Sequence, residues 1–182
     1  MYHTQESRTA KLTAAVPCVR DDAWLGEGLY FWNTLHDADY WGNTSKKATG
    51  YYEVYQSLIE SENLLDTVFN EEHYEFWLKQ IEKVGMKFVK DTGNKPTLKE
   101  LNDYFKEKAT WTEVDGILFQ DLPANNNFLM VKPIIKPVPF RGGNREILVS
   151  FAYRKRIQLV VYNSKIITNF DLLKREQVLK IK

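Results

Sequence analysis

The chain is poor in the residues that most often announce chemistry. Its 182 residues include one cysteine, Cys18, and three histidines, His3, His36 and His73. A lone cysteine excludes an intramolecular disulfide and any cysteine-rich zinc site, and makes a reducing, cytoplasmic setting the simplest expectation. Cys18 follows Pro17 without any nucleophile signature, so it reads as a small hydrophobe. The histidines have no ligand spacing, and no metal is expected. No apolar run approaches the roughly 20 residues of a membrane-spanning helix. The start, MYHTQESRTAKL, lacks the basic-then-apolar pattern of a secretory leader. Phosphate-loop, GxGxxG and HExxH signatures are missing, as are internal repeats and low-complexity linkers.

What remains is ordinary globular material, 43% hydrophobic and 27% charged, which predicts a single domain over 1–182 with a sizeable core. Aromatic residues make up 14% of the chain, with five tryptophans and ten tyrosines. Such flat amphipathic side chains serve a core or stack on a ligand. Net charge is +1 but unevenly spread. Residues 1–131 hold 13 Lys+Arg against 21 Asp+Glu, a net of −8, and residues 132–182 hold 12 against 3, a net of +9. The asymmetry points either to a face that meets an anion or to a basic surface balanced by acidic helices.

Coarse patterning places the elements. Residues 1–4 start a strand. Leu12 and Val16 at i, i+4 predict a short helix over 7–16, ended by Pro17. Residues 29–32 read as a buried strand after a glycine turn, and 34–41 as a helix capped by Asn33 or Thr34. Residues 51–59 are rich in β-formers. A helix over 70–84 is predicted with Asn70 as N-cap and Gly85 just past its end. Thr97 and Glu100 form a capping-box pattern for a helix to about 108. Strands are expected at 116–122, 128–135, 146–153 and 156–163, with Pro123, Pro133, Pro137, Pro139 and Gly142-Gly143 breaking between them or demoting them. Helices early and strands late argue for an α+β fold with a largely antiparallel sheet. Asn125-Asn126-Asn127 and 137–143 read as loops available to an acceptor.

Three stretches stand out together: YHT (2–4), DAWLGEGLYFWNTLHDADYWG (22–42) and RIQLVVYNSKI (156–166). In the third, a period of two puts Gln158, Val160 and Tyr162 on one face and Leu159 and Val161 on the other. Jointly, across nearly the whole chain, the stretches resemble the ADP-ribosyltransferases of the diphtheria-toxin and poly(ADP-ribose) polymerase branch. That branch carries a His–Tyr–[Glu/Asp/Gln] triad on three separated strands. His3-Thr4 corresponds to its first motif, although the usual glycine after the histidine is missing. Gly28-Leu29-Tyr30-Phe31, with Tyr40 on the following helix, corresponds to the second. The Tyr30–Tyr40 spacing is one residue short, which makes Trp41 a rival. Gln158 followed by Leu159 to Asn163 and Ile166 corresponds to the third. The best fit is to small stand-alone bacterial or phage-associated members, many of them toxins.

The resemblance implies split antiparallel β-sheets with helices mostly in the N-terminal half. It also implies NAD+ as co-substrate, without a metal, and cleavage of its nicotinamide–ribose bond. Catalytic roles would fall to His3, Tyr30 and Gln158, and dinucleotide binding to His3, Thr4, Gly28, Tyr30, Tyr40 and Trp41. Tyr30 and Tyr40 would sandwich the nicotinamide. Thr4 backbone groups would pair with its carboxamide, His3 with the adenosine ribose, and Gln158 with the nicotinamide-ribose 2′-hydroxyl. A neutral glutamine cannot stabilise positive charge as a glutamate does, which argues for mono-transfer. The acceptor would be RNA, DNA or protein, and a toxin of this type implies an antitoxin or chaperone partner. Alternatives are an NAD+ glycohydrolase, an inactive NAD- or ADP-ribose-binding module, and an unrelated α+β binding domain with a basic face.

Overall fold

The computed structural model describes residues 1–20, 23–46, 48–107, 113–121, 134–140, 143–150 and 156–179, with the backbone course alone for 134–140 and 143–150. The chain forms two compact units, one of residues 1–120 with 157–182 and one of 121–156.

The first unit is an α+β assembly around seven strands. These are β1 (Tyr2–Glu6), β2 (Leu29–Trp32), β3 (Tyr51–Ile59), β4 (Leu64–Asp66), β5 (Gly116–Gln120), β8 (Ile157–Val161) and β9 (Ile167–Gln177). They lie in the order β4-β5-β8-β2-β1-β3-β9. β4 and β5 run parallel and every other neighbouring pair runs antiparallel. The β1–β2 junction is joined by one register pair, Tyr2↔Trp32, whereas β1 meets β3 over five pairs and β2 meets β8 over four.

Helix α1 (Leu35–Ser45) starts where Thr34 Oγ1 accepts the Asp37 N–H at 3.2 Å, the N-cap geometry that satisfies an orphan donor. Helix α2 (Glu71–Thr92) begins at its expected cap, Asn70, whose side chain accepts from His73 N. It then runs through Gly85 and stops only at Gly93, a left-handed C-cap with φ 74°. Gly85 costs the helix about 1 kcal/mol relative to alanine, too little to end a helix whose Trp77, Ile81 and Val84 pack on the core. Helix α3 (Leu98–Glu107) has the reciprocal capping box: Glu100 N donates to Thr97 Oγ1 at 3.2 Å, and Thr97 N to Glu100 Oε2 at 2.7 Å.

Residues 7–16 do not form the expected helix. Leu12 N–H is held by the Tyr55 hydroxyl and Val16 N–H by the His3 ring, so the segment's donors serve side-chain acceptors on the sheet. The edge strand β9 has no counterpart in the sequence reading. Its charged LKREQ end hides it, as charge often does on edge strands.

On one face, Leu101, Phe105, Ile117, Phe119 and Val160 form a core cluster, with Trp77, Ile81 and Val84 of α2 packed on it. A second cluster joins Trp32, Tyr52 and Val54 to Ala38 of α1. Phe31, Leu159 and Val161 form the core of the opposite face. β8 is thus buried on both sides, which accounts for its unbroken Leu-Val-Val run. Each such side chain contributes about 1.5–3 kcal/mol.

In the second unit, β6 (Ile134–Phe140) and β7 (Gly143–Ser150) form an antiparallel ribbon. Pro137 and Pro139 lie inside β6 and do not break it, contrary to the sequence expectation. Their spacing of two keeps both on one edge of a two-stranded ribbon, where no ladder N–H is needed. Most of the strand expected at 128–135, and residues 125–127, lie outside the described residues.

Candidate functional site

The strands that carry the three motifs are immediate neighbours, in the order β8-β2-β1. Register fixes the faces. Tyr30 pairs with Val160 and Trp32 with Gln158, so Tyr30, Trp32, Gln158 and Val160 project to one side. Tyr2↔Trp32 carries that side onto β1 and gives it Thr4. His3 projects to the other side, where its ring lies 5.4 Å from Phe31 and 6.0 Å from Phe170. The triad is therefore gathered on adjacent strands but divided between two faces, across the single-pair junction.

His3 is 4% exposed. Its Nδ1 lies 2.9 Å from the Tyr30 carbonyl oxygen. A carbonyl only accepts, so Nδ1 carries the ring proton, and Nε2 is left to accept the Val16 N–H at 3.4 Å. Burial pushes the imidazole pKa down to about 4; the Tyr30 bond opposes this and the Lys46 charge adds to it. His3 is a neutral ring at pH 7, with both nitrogens engaged.

Tyr30 is tied into the loop before its own strand. Its hydroxyl donates to Gly26 O at 2.8 Å and accepts the Leu25 N–H at 3.2 Å, while its ring meets Phe119 edge-on at 6.3 Å. Burial is the main cause that raises its pKa. Gly28 sits where β2 passes close to β8: a Cβ there would stand 2.4 Å from Val160 Cγ2 and 3.2 Å from the Val161 carbonyl oxygen. The glycine of the GLYF run thus has a packing cause within this chain. Gln158 is half-buried between its register partners Trp32 and Phe119.

Thr4 is buried, and its hydroxyl donates to Ala38 O of α1 at 3.0 Å. On the same helix Tyr40 is 52% exposed. Trp41 instead leans on Trp32 with centroids 5.7 Å apart, and the Arg20 guanidinium lies over its ring at 5.9 Å. Between the two rivals, Trp41 is the ring that reaches the strand pair holding Gln158.

An open cleft of about 590 Å³ lies where β2 starts and β8 ends, lined in part by Ala15, Gly28, Phe105, Lys106 and Tyr162. Its volume is in the range of small-molecule sites. Lys106 crosses from α3 to donate to Glu27 O at 2.5 Å and rests over the Tyr162 ring at 4.1 Å. Burial is the largest influence on its ammonium and lowers its pKa. The sequence reading missed Lys106; its only signal is its place beside the inward Phe105 on an amphipathic helix. Asn163 also acquires a structural partner: its Nδ2 donates to Asp115 Oδ1 at 2.6 Å.

The basic C-terminal stretch is partly neutralised by the acids of the first half. Lys174 reaches Asp39 at 2.7 Å, and Arg175 lies 3.9 Å from Glu53.

Comparison with protein-family models, curated proteins and solved structures finds no match. Among the described residues no group of three or more His, Cys, Asp or Glu side chains is arranged to hold a metal ion, and no helix is long and apolar enough to cross a membrane. The face that carries Tyr30 offers the half-buried Tyr30, Trp41 and the Gln158 amide, whereas Trp32 is buried in the core and His3 lies on the opposite face with both ring nitrogens engaged.

Proposed function

We propose that the chain is a mono-ADP-ribosyltransferase that uses NAD+ as co-substrate. The observation that carries this reading is the juxtaposition of the three motif strands, β8-β2-β1, with Tyr30 and Gln158 on one face. The single Tyr2↔Trp32 pair between β1 and β2 supports it further, because the resemblance implies a split sheet. In the reaction the bond between the nicotinamide nitrogen and ribose C1′ breaks. Nicotinamide leaves with the bonding electrons, and an acceptor nucleophile forms the new bond to C1′, losing its proton to solvent or to a base of its own. The chain's part is to orient the dinucleotide and exclude water. Gln158 would hold the ribose 2′-hydroxyl, and the aromatic side chains would hold the ring. RNA, DNA or protein as acceptor, a role as an intracellular toxin of a toxin–antitoxin or anti-phage system, and a neutralising antitoxin or chaperone rest on the resemblance and the basic C-terminal stretch.

A second reading is a binding module without turnover. It is favoured by the engagement of both His3 nitrogens and of the Tyr30 hydroxyl in this structure, and by the neutrality of Gln158. Release of nicotinamide from labelled NAD+ separates the readings, run with RNA, with DNA, with cell protein and in buffer alone. Gln158→Ala is the test variant, since Tyr30 also staples its loop. Label fixed on one polymer and lost in Gln158→Ala supports the transferase and identifies the acceptor. Free ADP-ribose as the sole product, in buffer alone, makes the chain a glycohydrolase. Absence of turnover in this chain and in Gln158→Glu rules out catalysis and leaves the binding module.

A further inference from the structure

The cleft of about 590 Å³ where β2 starts and β8 ends has no part in the proposed reaction. The two strands run antiparallel, with Trp32↔Gln158 at one end and Leu29↔Val161 at the other. Three residue steps, about 10 Å, separate the Gln158 end from the cleft. Among the described residues assigned above to the dinucleotide, Gly28 alone lines it.

Two polar side chains of α3 open into this cleft, Asn102 and Lys106. Their i, i+4 spacing puts them side by side on the helix, with about 5–6 Å between Cβ atoms. Asn102 is 2% exposed. Its Nδ2 donates to Leu98 O at 2.8 Å, and no described donor reaches its Oδ1. An open acceptor on a buried amide calls for a partner, because such groups are nearly always bonded. Lys106 has three N–H groups. One donates to Glu27 O at 2.5 Å, and the ammonium rests over the Tyr162 ring at 4.1 Å. No described carboxylate pairs with it: Asp103, the nearest acid on its helix, pairs with Lys99 at 3.4 Å. The cleft thus presents one cation without a counter-ion and one acceptor without a donor.

The rest of the lining sets the ligand's body and charge. Ala15, Pro17, Leu29, Phe105 and Val161 give apolar walls, which suit a hydrocarbon or aryl group. Asp103 and Glu27 stand near enough for their charges to favour the ammonium, and the same charges repel a multiply charged ligand such as a phosphate ester. A single negative charge therefore fits best. The donor for Asn102 Oδ1 is best neutral, since a second ammonium would stand beside Lys106.

We propose that this cleft binds a small 2-hydroxy monocarboxylate with an apolar body, its carboxylate on Lys106 Nζ and its hydroxyl donating to Asn102 Oδ1. The site is independent of the NAD+ reading and holds whatever reaction the chain performs.

Isothermal titration of the full chain with 3-phenyllactate tests the proposal, with circular dichroism to verify the fold of the variant. Phenyllactate is expected to bind with a Kd of about 1 mM or tighter. Its uncharged amide should bind the parent chain about tenfold more weakly, because it forfeits a charge-assisted bond. Lys106→Gln should weaken phenyllactate by about the same factor and leave the amide unchanged. 3-Phenylpropionate, which lacks the hydroxyl, should bind about threefold more weakly than phenyllactate. Absence of phenyllactate binding at about 10 mM overturns the proposal. So does an amide or a phenylpropionate that binds the parent chain as tightly as phenyllactate, a comparison that needs no variant. Undiminished phenyllactate binding by folded Lys106→Gln overturns it too, as does displacement of phenyllactate by an equal concentration of inorganic phosphate.

Discussion

Acidification should destabilise the fold through His3. Unfolded, the imidazole takes a proton near pH 6.5; folded, burial holds that step down to about 4. The unfolded state therefore binds more protons throughout this window, and stability falls as pH falls through it. The sign follows from the depressed value: the contribution is fully present above pH 6.5 and lost on approach to 4. At about 1.4 kcal/mol per pH unit, the full window is worth roughly 3 kcal/mol. Solvent screening discounts this little, since the ring is 4% exposed. The assay is urea unfolding at pH 7, 5.5 and 4.5 for the chain and for His3→Gln, which has no titrating ring. The variant is less stable at pH 7 because it forfeits the Tyr30 and Val16 bonds. The gap between the two proteins should close by about 2 kcal/mol between pH 7 and 4.5. Other titrating groups act alike in both and cancel in the difference. A gap that stays constant over that range would refute the assignment of His3 as a buried neutral ring.

Gly28→Ala drives a methyl to 2.4 Å from Val160 Cγ2; overpacking of this kind costs about 1–3 kcal/mol, which calorimetry should record as a fall in Tm of roughly 3–10 °C. Gly93→Ala forces a side chain into the left-handed C-cap at φ 74° and should cost about 1 kcal/mol in chemical denaturation, fraying α2 from its C-terminal end in hydrogen exchange. An unchanged midpoint for either variant contradicts the geometry given for it.

Local signals in the sequence located much of the fold. Thr34, Asn70 and the Thr97–Glu100 pair each cap the helix they were expected to cap, because a side-chain oxygen next to orphan N–H groups acts over three residues. Residues 51–59 form β3 at those bounds. Where distant groups decide, the reading failed. Residues 7–16 carry a weak helical spacing, but Tyr55 and His3, brought over by the sheet, claim two of their backbone donors. Gly85 looked like a stop because the core that holds Trp77, Ile81 and Val84, and the second glycine cap at Gly93, lie outside a short window. Face assignment shows the same limit. Alternation within RIQLVVYN correctly sets Gln158 apart from Leu159, but nothing local to His3 says that it turns away from Tyr30; that depends on how β1 registers with β2. Trp41 rather than Tyr40 meeting Trp32 likewise follows from the roll of α1 on the sheet.

The segment between Ser7, tied to Tyr51 O, and Cys18, tied to Gly28 O, behaves as a tethered competitor. Its Val16 N–H occupies the Nε2 lone pair of His3, and its Leu12 N–H occupies the Tyr55 hydroxyl. A molecule that needs that imidazole nitrogen competes with a group whose local concentration is set by the tether, in the millimolar range for short flexible links. Its apparent affinity is the intrinsic one scaled by the fraction of time the segment is away. A substitution at an exposed position of the segment such as Lys11 would then move that affinity by shifting the occupancy of the tether.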